Sequence, residues 1–494
     1  MRPLAPRRHP DARSWPGPLL VGALTTVVCL LQILLGRDAG FADNGDGRRL
    51  MCQLDLAPVE GVFWDSAVFG YGPIGTPPGE CGGEELRYPT AWAVLLRPVV
   101  GIERLLTGSD AFDLRVLGVL GAILLGVGVG LLAAALRART PARLAVVALM
   151  GLMVSDLVFT GYLAAPYPEA GGFVGLLLLL AALTRWASGR RGLVDLGLLT
   201  LAAVAVGTVK AQLSPLMLVV ALLLVVHAFW PSRGGQARTR SAARRGADVG
   251  AALVLVLGCS VFLGLAGSEY DRINTYNLLF KTILADSKTP EQDLAELGLP
   301  PSLAEYAGTS AFEPGNAVAS PDYPQARDDF GRGDAVRFLL RHPERAVAMV
   351  DLALSEASQP RLTYLSNVEQ DPASPPQVKQ GLDVASTMLS MATRTSAWLL
   401  ALLWCGSLAA GAVLHLRRGA TREQRAWSAL VAGLAVIAAS QLVVSLLGDG
   451  YYELRKHLVF SSWATALLPV ALCGLVLVAL ARHAPARTTD REHS

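Results

Sequence analysis

Ten stretches of the chain run for about twenty residues almost free of charge, and they limit the fold more than any other feature. They lie at 17–36, 116–136, 144–162, 171–185, 193–209, 214–231, 247–267, 395–416, 426–447 and 457–481. An apolar helix of about 20 residues crosses the roughly 30 Å hydrocarbon core of a bilayer, and it satisfies its own backbone polar groups where water is absent. Composition agrees, since 52% of the 494 residues are hydrophobic and 17% charged. The expected fold is an all-α polytopic membrane protein with about ten transmembrane helices. The first run is too long for the core of a signal peptide and no small-residue cleavage pattern follows it, so it is read as a membrane helix. The formal net charge of +3 says little until the charges are placed by side. Membrane lipids are expected partners and nucleic acid is not.

Basic residues in short loops set the orientation. With the N-terminus in the cytoplasm, the inner segments hold Arg2, Arg7, Arg8 and Arg13, then Arg137, Arg139 and Arg143, then Arg185, Arg190 and Arg191. Five arginines from Arg233 to Arg245, the Arg417–Arg425 cluster and the tail after Arg482 follow the same side. The short outer links carry only Lys210, Arg455 and Lys456. The expected organisation in the cell membrane is a cytoplasmic tail at 1–16 and seven helices within 17–267, the first of them followed by an extracytoplasmic loop at 37–115. A mainly helical extracytoplasmic lobe at 268–394, three helices within 395–481 and a cytoplasmic tail at 482–494 complete it. Within the first loop, "YPTAWAVLLRPVVGIERLL" (88–106) is interrupted by Arg97, Glu103 and Arg104, and Pro98 is expected to break a spanning helix. It reads as a helix lying on the membrane surface. The lobe has amphipathic stretches such as "PERAVAMVDLALSEA" (343–357) and Pro-rich connections. Cys29, Cys259, Cys405 and Cys473 fall inside spans, whereas Cys52 and Cys81 share the first outer loop, where a disulfide between them is expected.

Polar clusters stand out at the ends of these spans. "GFADNGDGRRL" (40–50) follows the first span, and its Asn44-Gly45 turn presents Asp43 and Asp46 together, with Arg48 beside them. A carboxylate at the bilayer edge can take a proton from a sugar hydroxyl or hold a divalent cation. A calcium loop fits poorly, because Gly45 stands where a ligand is needed and Leu54 replaces the closing Glu. No CxxC pair, HExxH motif or His cluster points to zinc. "SDLVFTGYLAAPYPEAGG" places Asp156 in the outer half of the third span and Glu169 just after it, and an acid at membrane depth is a functional candidate or a packing residue bonded to a hydroxyl. "TVKAQLSP" sets Lys210 and Gln212 at the next outer link. Lys210 either snorkels to the headgroups or meets a lipid phosphate. "GDGYYELRKHLVF" (448–460) puts Asp449 and Glu453 beside Arg455, Lys456 and His457, against the positive-inside pattern. Such a group would suit an anionic headgroup or a phosphate leaving group, or would simply anchor the chain to lipid phosphate.

An acidic motif after the first span, a long first outer loop with a surface helix, and many spans facing one outer cavity resemble the GT-C class of membrane glycosyltransferases. More narrowly, "FADNGDGRRLMCQL", "PYPEAGG", "KAQLSP", "INTYNLLFKTILADSKTPEQDLAELGL" and "GDGYYELRKHLVF" resemble the WsfD-like hexose transferases of bacterial glycan biosynthesis. The resemblance implies that Asp43 or Asp46 is the catalytic base or a metal-associated group, and that Lys210 and the Arg455–His457 cluster hold a polyprenyl-phosphate sugar donor. It also implies a bulkier, often aromatic residue at Gly47. The expected reaction moves a hexose to a cell-envelope glycan or glycolipid at the outer face, by one inverting displacement, with Arg48, Asp156, Glu169, Gln212 and Asp449 as further substrate-binding candidates. Two other readings remain. A transporter or flippase for a lipid-linked glycan needs polar positions on the cytoplasmic half, where Asp195 is the only obvious acid. A non-catalytic scaffold would use the 268–394 lobe as its binding module.

Overall fold

The structure, a computed structural model, describes residues 16–59, 65–74, 89–190, 192–229, 242–371 and 374–481. Ten apolar helices organise it: α1 (Pro16–Leu34), α2 (Leu114–Leu136), α3 (Pro141–Val154), α4 (Glu169–Gly189), α5 (Leu193–Gly207), α6 (Ala211–Phe229), α7 (Ala242–Leu265), α8 (Trp398–Leu416), α9 (Arg422–Gly448) and α10 (Val459–Leu480). Eight of these are long and apolar enough to cross a membrane, and α3 and α5 are shorter apolar helices. Each overlaps one of the ten expected spans, so the chain is an all-α polytopic membrane protein. Leu19 and Leu31 on α1, Leu257 on α7 and Leu402 and Val413 on α8 point outward, as a lipid solvent permits.

Lipid tails are as apolar as leucine, so close backbone packing must hold such helices together. The contact between α1 and α2 shows this. A Cβ built on Gly22 would stand 2.6 Å from the Gly126 carbonyl oxygen, and Thr26 Oγ1 donates to the Ala122 carbonyl at 3.3 Å. α3 ends early because Asp156 interrupts it and caps a separate short helix, Leu157–Thr160.

Polar groups segregate to the two ends of the bundle. At one end Arg143 pairs with Glu423 at 2.5 Å, joining the first turn of α3 to the start of α9. Arg185–Asp195 and His227–Asp248 pairs, at 2.5 and 2.9 Å, tie α4 to α5 and α6 to α7. The other end carries the first long loop, the links after α3, α5 and α9, and the segment 266–397. That segment contains helices Ser268–Tyr276, Pro290–Glu296, Tyr323–Asp329, Arg332–Arg341, Pro343–Ala357 and Val384–Ala392, which form a mainly helical lobe. It closes over the first loop: Ala39 bridges to Val368, Ala42 N–H donates to the Ser366 carbonyl at 2.9 Å, and Gln32 Nε2 donates to the Leu382 carbonyl at 3.1 Å.

The first loop folds on itself. A three-stranded antiparallel sheet of β1 (Leu56–Pro58), β2 (Gly70–Pro73) and β3 (Phe112–Asp113) pairs Leu56 with Pro73 and Tyr71 with Phe112. The expected surface helix forms at Ala91–Thr107, capped by the Thr90 side chain. It runs through Pro98 without breaking, because Pro98 and the Val94 carbonyl that loses its donor lie on the exposed side. Val94, Ile102, Leu105 and Leu106 remain exposed, Leu105 at 85%, which gives this helix an apolar face with nothing packed on it. Cys52 is disulfide-bonded, and Cys81 lies outside the described residues. Cys29, Cys259, Cys405 and Cys473 are free thiols within α1, α7, α8 and α10.

Replacing Gly22 by Leu should lower the thermal unfolding midpoint in detergent by the equivalent of about 1–3 kcal/mol of overpacking. Gly250→Leu on α7, where an added Cβ meets nothing, is the control and should leave the midpoint unchanged.

Candidate functional site

The acidic turn after α1 is shaped by its own first carboxylate. Asp43 Oδ1 accepts the backbone N–H groups of Gly45 at 2.8 Å and Gly47 at 2.9 Å, closing residues 43–47 into a tight loop. Gly45 takes φ of +97°, a conformation that strains residues with a Cβ. At Gly47 the constraint is space. A Cβ there would collide with Asp43 Oδ2 and come within 2.8 Å of Pro166 Cβ, so the bulkier residue expected at 47 cannot be accommodated by this turn. Asp43 is thus buried and committed to the loop, and burial raises its carboxyl above the usual range despite the two N–H bonds and the Lys456 charge.

Asp46 faces the other way, into a cluster assembled from distant parts of the chain. Its Oδ2 lies 2.7 Å from Lys456 Nζ and its Oδ1 lies 3.1 Å from the Arg49 guanidinium. Lys456, at 0% exposure, also donates to Asn44 Oδ1 at 2.8 Å and approaches Glu453 Oε2 at 3.4 Å. Asn44 Nδ2 donates to the same Glu453 oxygen at 2.5 Å. Tyr167 closes the ring from below. Its hydroxyl donates to the Ala42 carbonyl at 2.5 Å and accepts the Asn44 N–H at 3.0 Å, and its ring centroid lies 4.6 Å from Lys456 Nζ. Burial works to raise the Asp46 carboxyl, but the charges of Arg49, Lys456, Lys210 and His457 outweigh it and hold the group well below the usual carboxylate range. Burial alone would lower Lys456, whereas Asp46, Glu453 and Glu169 raise it above the ordinary lysine value.

The neighbouring links supply the rest. Lys210 pairs with Glu169 at 2.6 Å, both side chains buried. Gln212 Nε2 donates to the His457 carbonyl at 2.6 Å and to Ser445 Oγ at 3.2 Å. His457 meets Asp449 at 3.2 Å, and Asp449 Oδ1 accepts from Asn277 Nδ2 at 2.6 Å. Arg455 is clamped by the Glu356 carboxylate at 2.8 and 3.2 Å and donates to the Arg361 carbonyl. Arg48 is exposed, and no hydrogen bond or ion pair engages its side chain among the described residues. Asp156 stands apart from the cluster. It caps Leu157–Thr160 and accepts the N–H groups of Val158, Ala385 and Ser386 at 3.1, 2.8 and 3.0 Å, which fastens the end of α3 to the lobe.

Two features of the cluster mark it as a site as well as a brace. Glu453 adopts a left-handed backbone with φ of +45°, an uncommon state for a residue with a side chain. Several buried polar atoms around it have no hydrogen-bond partner among the described residues: Glu169 Oε2, Glu453 Oε1, and the hydroxyls of Tyr162 and Tyr364. Tyr162 lies within electrostatic reach of Glu169, Tyr364, Glu453 and Asp46, so these groups are near neighbours. No three His, Cys, Asp or Glu side chains converge to hold a metal ion among the described residues. Of the residues singled out in the sequence, the structure places Asp43, Asp46, Glu169, Lys210, Lys456 and His457 near one another. Sequence reading missed Asn44, Tyr162, Tyr167 and Tyr364, although both tyrosines before Glu169 stand in the stretch it singled out.

Lys456→Met leaves Asp46 and Glu453 buried against an uncompensated charge and should destabilise the protein by about 3–5 kcal/mol. Lys456→Met combined with Asp46→Asn and Glu453→Gln should recover much of that loss in thermal unfolding. A carboxyl held below its unfolded value stabilises the fold above pH of about 4 and loses that contribution as pH falls through the depressed folded value. Acid unfolding below about pH 4 should therefore be shallower in Asp46→Asn than in the natural protein.

A family model described as the YfdI N-terminal transmembrane domain matches residues 11–492, and the chain belongs to that family. No curated protein and no solved structure matches the chain.

Proposed function

On the premise of a family of polytopic membrane domains, we propose that this protein is a GT-C type glycosyltransferase that works at the outer face of the membrane. It moves a hexose from a polyprenyl-phosphate donor to a glycan or glycolipid acceptor. The observation that carries the reading is the convergence on Lys456 of acids and amides from links more than four hundred residues apart in sequence. Around it, acceptor oxygens and phenol hydroxyls remain unpaired beside a partly exposed Asp46, at 22%. Buried acceptor oxygens without a donor suit the hydroxyls of a sugar, which arrive as donors.

In this reading Asp46 is the acid that meets the acceptor, and Asp43 shapes the turn that aims it. The acceptor hydroxyl oxygen attacks the anomeric carbon as the bond to the carrier phosphate breaks, and the hydroxyl proton passes to Asp46. An acid held as a carboxylate is a weak base, so the proton transfers late, once the new C–O bond has made the hydroxyl acidic. The lipid phosphate leaves with the bonding electrons. Lys210, Arg455 and Lys456 already neutralise Glu169, Glu356 and Asp46, so they position those acids. Exposed Arg48 is the cation available to the phosphate. Transport is the weaker alternative, because Asp195 and Asp248 at the opposite end are engaged by Arg185 and His227.

In membranes supplied with a polyprenyl-phosphate hexose, Asp46→Asn should slow transfer by about 10²–10⁴-fold with little change in donor KM. Arg48→Ala should instead raise donor KM. Undiminished transfer in Asp46→Asn would remove the proposed base.

A further inference from the structure

A cavity of about 230 Å³ opens between the lobe and the link after α9, away from the Lys456 cluster. It is larger than the cavity of about 150 Å³ that admits a benzene ring in a protein core, so a single six-membered ring fits. Its floor is apolar, built from Ile283, Phe338 and Met349, all buried. Its rim carries the carboxylates of Asp286 and Glu344 and the guanidinium of Arg345, which is paired with Asp293 at 2.6 Å, with the half-buried ring of Tyr451 as one wall. Asp286 is exposed and has no hydrogen bond or ion pair among the described residues.

We infer that this cavity is a second carbohydrate subsite that binds one pyranose ring, with its C–H face on the apolar floor and its hydroxyls donated to Asp286. A pyranose has an apolar face and a girdle of hydroxyl donors, which matches an apolar floor under carboxylate acceptors. An anion finds two carboxylates at the rim and only Arg345 as a cation, already paired with Asp293, and a lipid chain would make no use of the acceptor at Asp286. The wall is joined to the candidate active site through the chain. Tyr451 N–H donates to Thr282 Oγ1 at 2.9 Å, and two residues later the same turn delivers Glu453 and then Lys456. A sugar seated here therefore lies against the strand of chain that shapes the Asp46 cluster, as the acceptor of the transfer would. That acceptor role rests on the glycosyltransferase reading, whereas the binding does not.

The test is saturation-transfer NMR on the full chain in nanodiscs, with methyl α-glucopyranoside, methyl α-galactopyranoside and methyl α-mannopyranoside at millimolar concentration as probes. At least one glycoside should take up saturation on its ring protons. Ala348→Trp, placed on the exposed face of helix Pro343–Ala357 at the cavity mouth, should abolish that signal. Asp286→Asn, which keeps the shape, should weaken binding by about tenfold. No saturation of any of the three glycosides, or a signal indifferent to Ala348→Trp, would overturn the subsite. If no sugar transfer is found in membranes while the signal sensitive to Ala348→Trp persists, the transferase reading fails and the subsite stands.

Discussion

A lysine with no contact to water needs negative partners, and in this protein meeting that need joins the first loop to the last link. Lys456 takes its partners from Asn44 and Asp46 on one side and Glu453 on the other. Removing a charge from water costs several kcal/mol, and only well-placed acceptors compensate it. The turn after α1 and the turn after α9 are therefore fixed relative to each other by one ammonium group. Tyr167 adds the loop before α4, because the hydroxyl that holds Asn44 belongs to the ring lying under that ammonium. Three links that separate helices of a bundle become one rigid unit.

Within that unit the two aspartates differ for local reasons. Asp43 spends its carboxylate on Gly45 and Gly47, and Gly47 has no room for a Cβ because the carboxylate fills the space. Asp46 is left to project from the closed loop toward the cations. The turn and the lysine cluster therefore depend on one another: without the Asp43 bonds the loop would not present Asp46, and without Lys456 a second acid so close to Glu453 would be repelled. The same arithmetic of charge explains why Lys210 and Arg455 sit against Glu169 and Glu356 and are not open to an anion.

The ten apolar helices were legible because length and hydrophobicity are properties of contiguous residues. The small sheet was not, since strands of two to four residues give no alternation to read, and pairing between partners as distant as Gly70 and Asp113 leaves no mark on either. The candidate site was half legible. Charged residues against the expected pattern pointed to the links carrying Asp46, Lys210 and Lys456. Which acid each cation would meet was hidden, because contacts such as Asn44 with Glu453 join residues 409 positions apart. Tyr162 and Tyr364 escaped notice because a tyrosine in an apolar stretch is ordinary, and only the missing partners of their hydroxyls single them out. Asp156 gave the opposite lesson. An acid at membrane depth drew attention, yet three backbone N–H groups account for it.

The helix Ala91–Thr107 carries its exposed leucines on a rod wired to the acidic turn. Arg97 grips the Gln53 carbonyl just beyond the 43–51 segment, and Thr90 holds the Val209 carbonyl beside Lys210. An amphipathic helix of this kind rides at the depth where headgroups meet acyl chains. Its ties to Gln53, Thr208 and Val209 end on the segments that flank the charged cluster, so one set of anchors serves both the exposed apolar helix and the turn that presents Asp46.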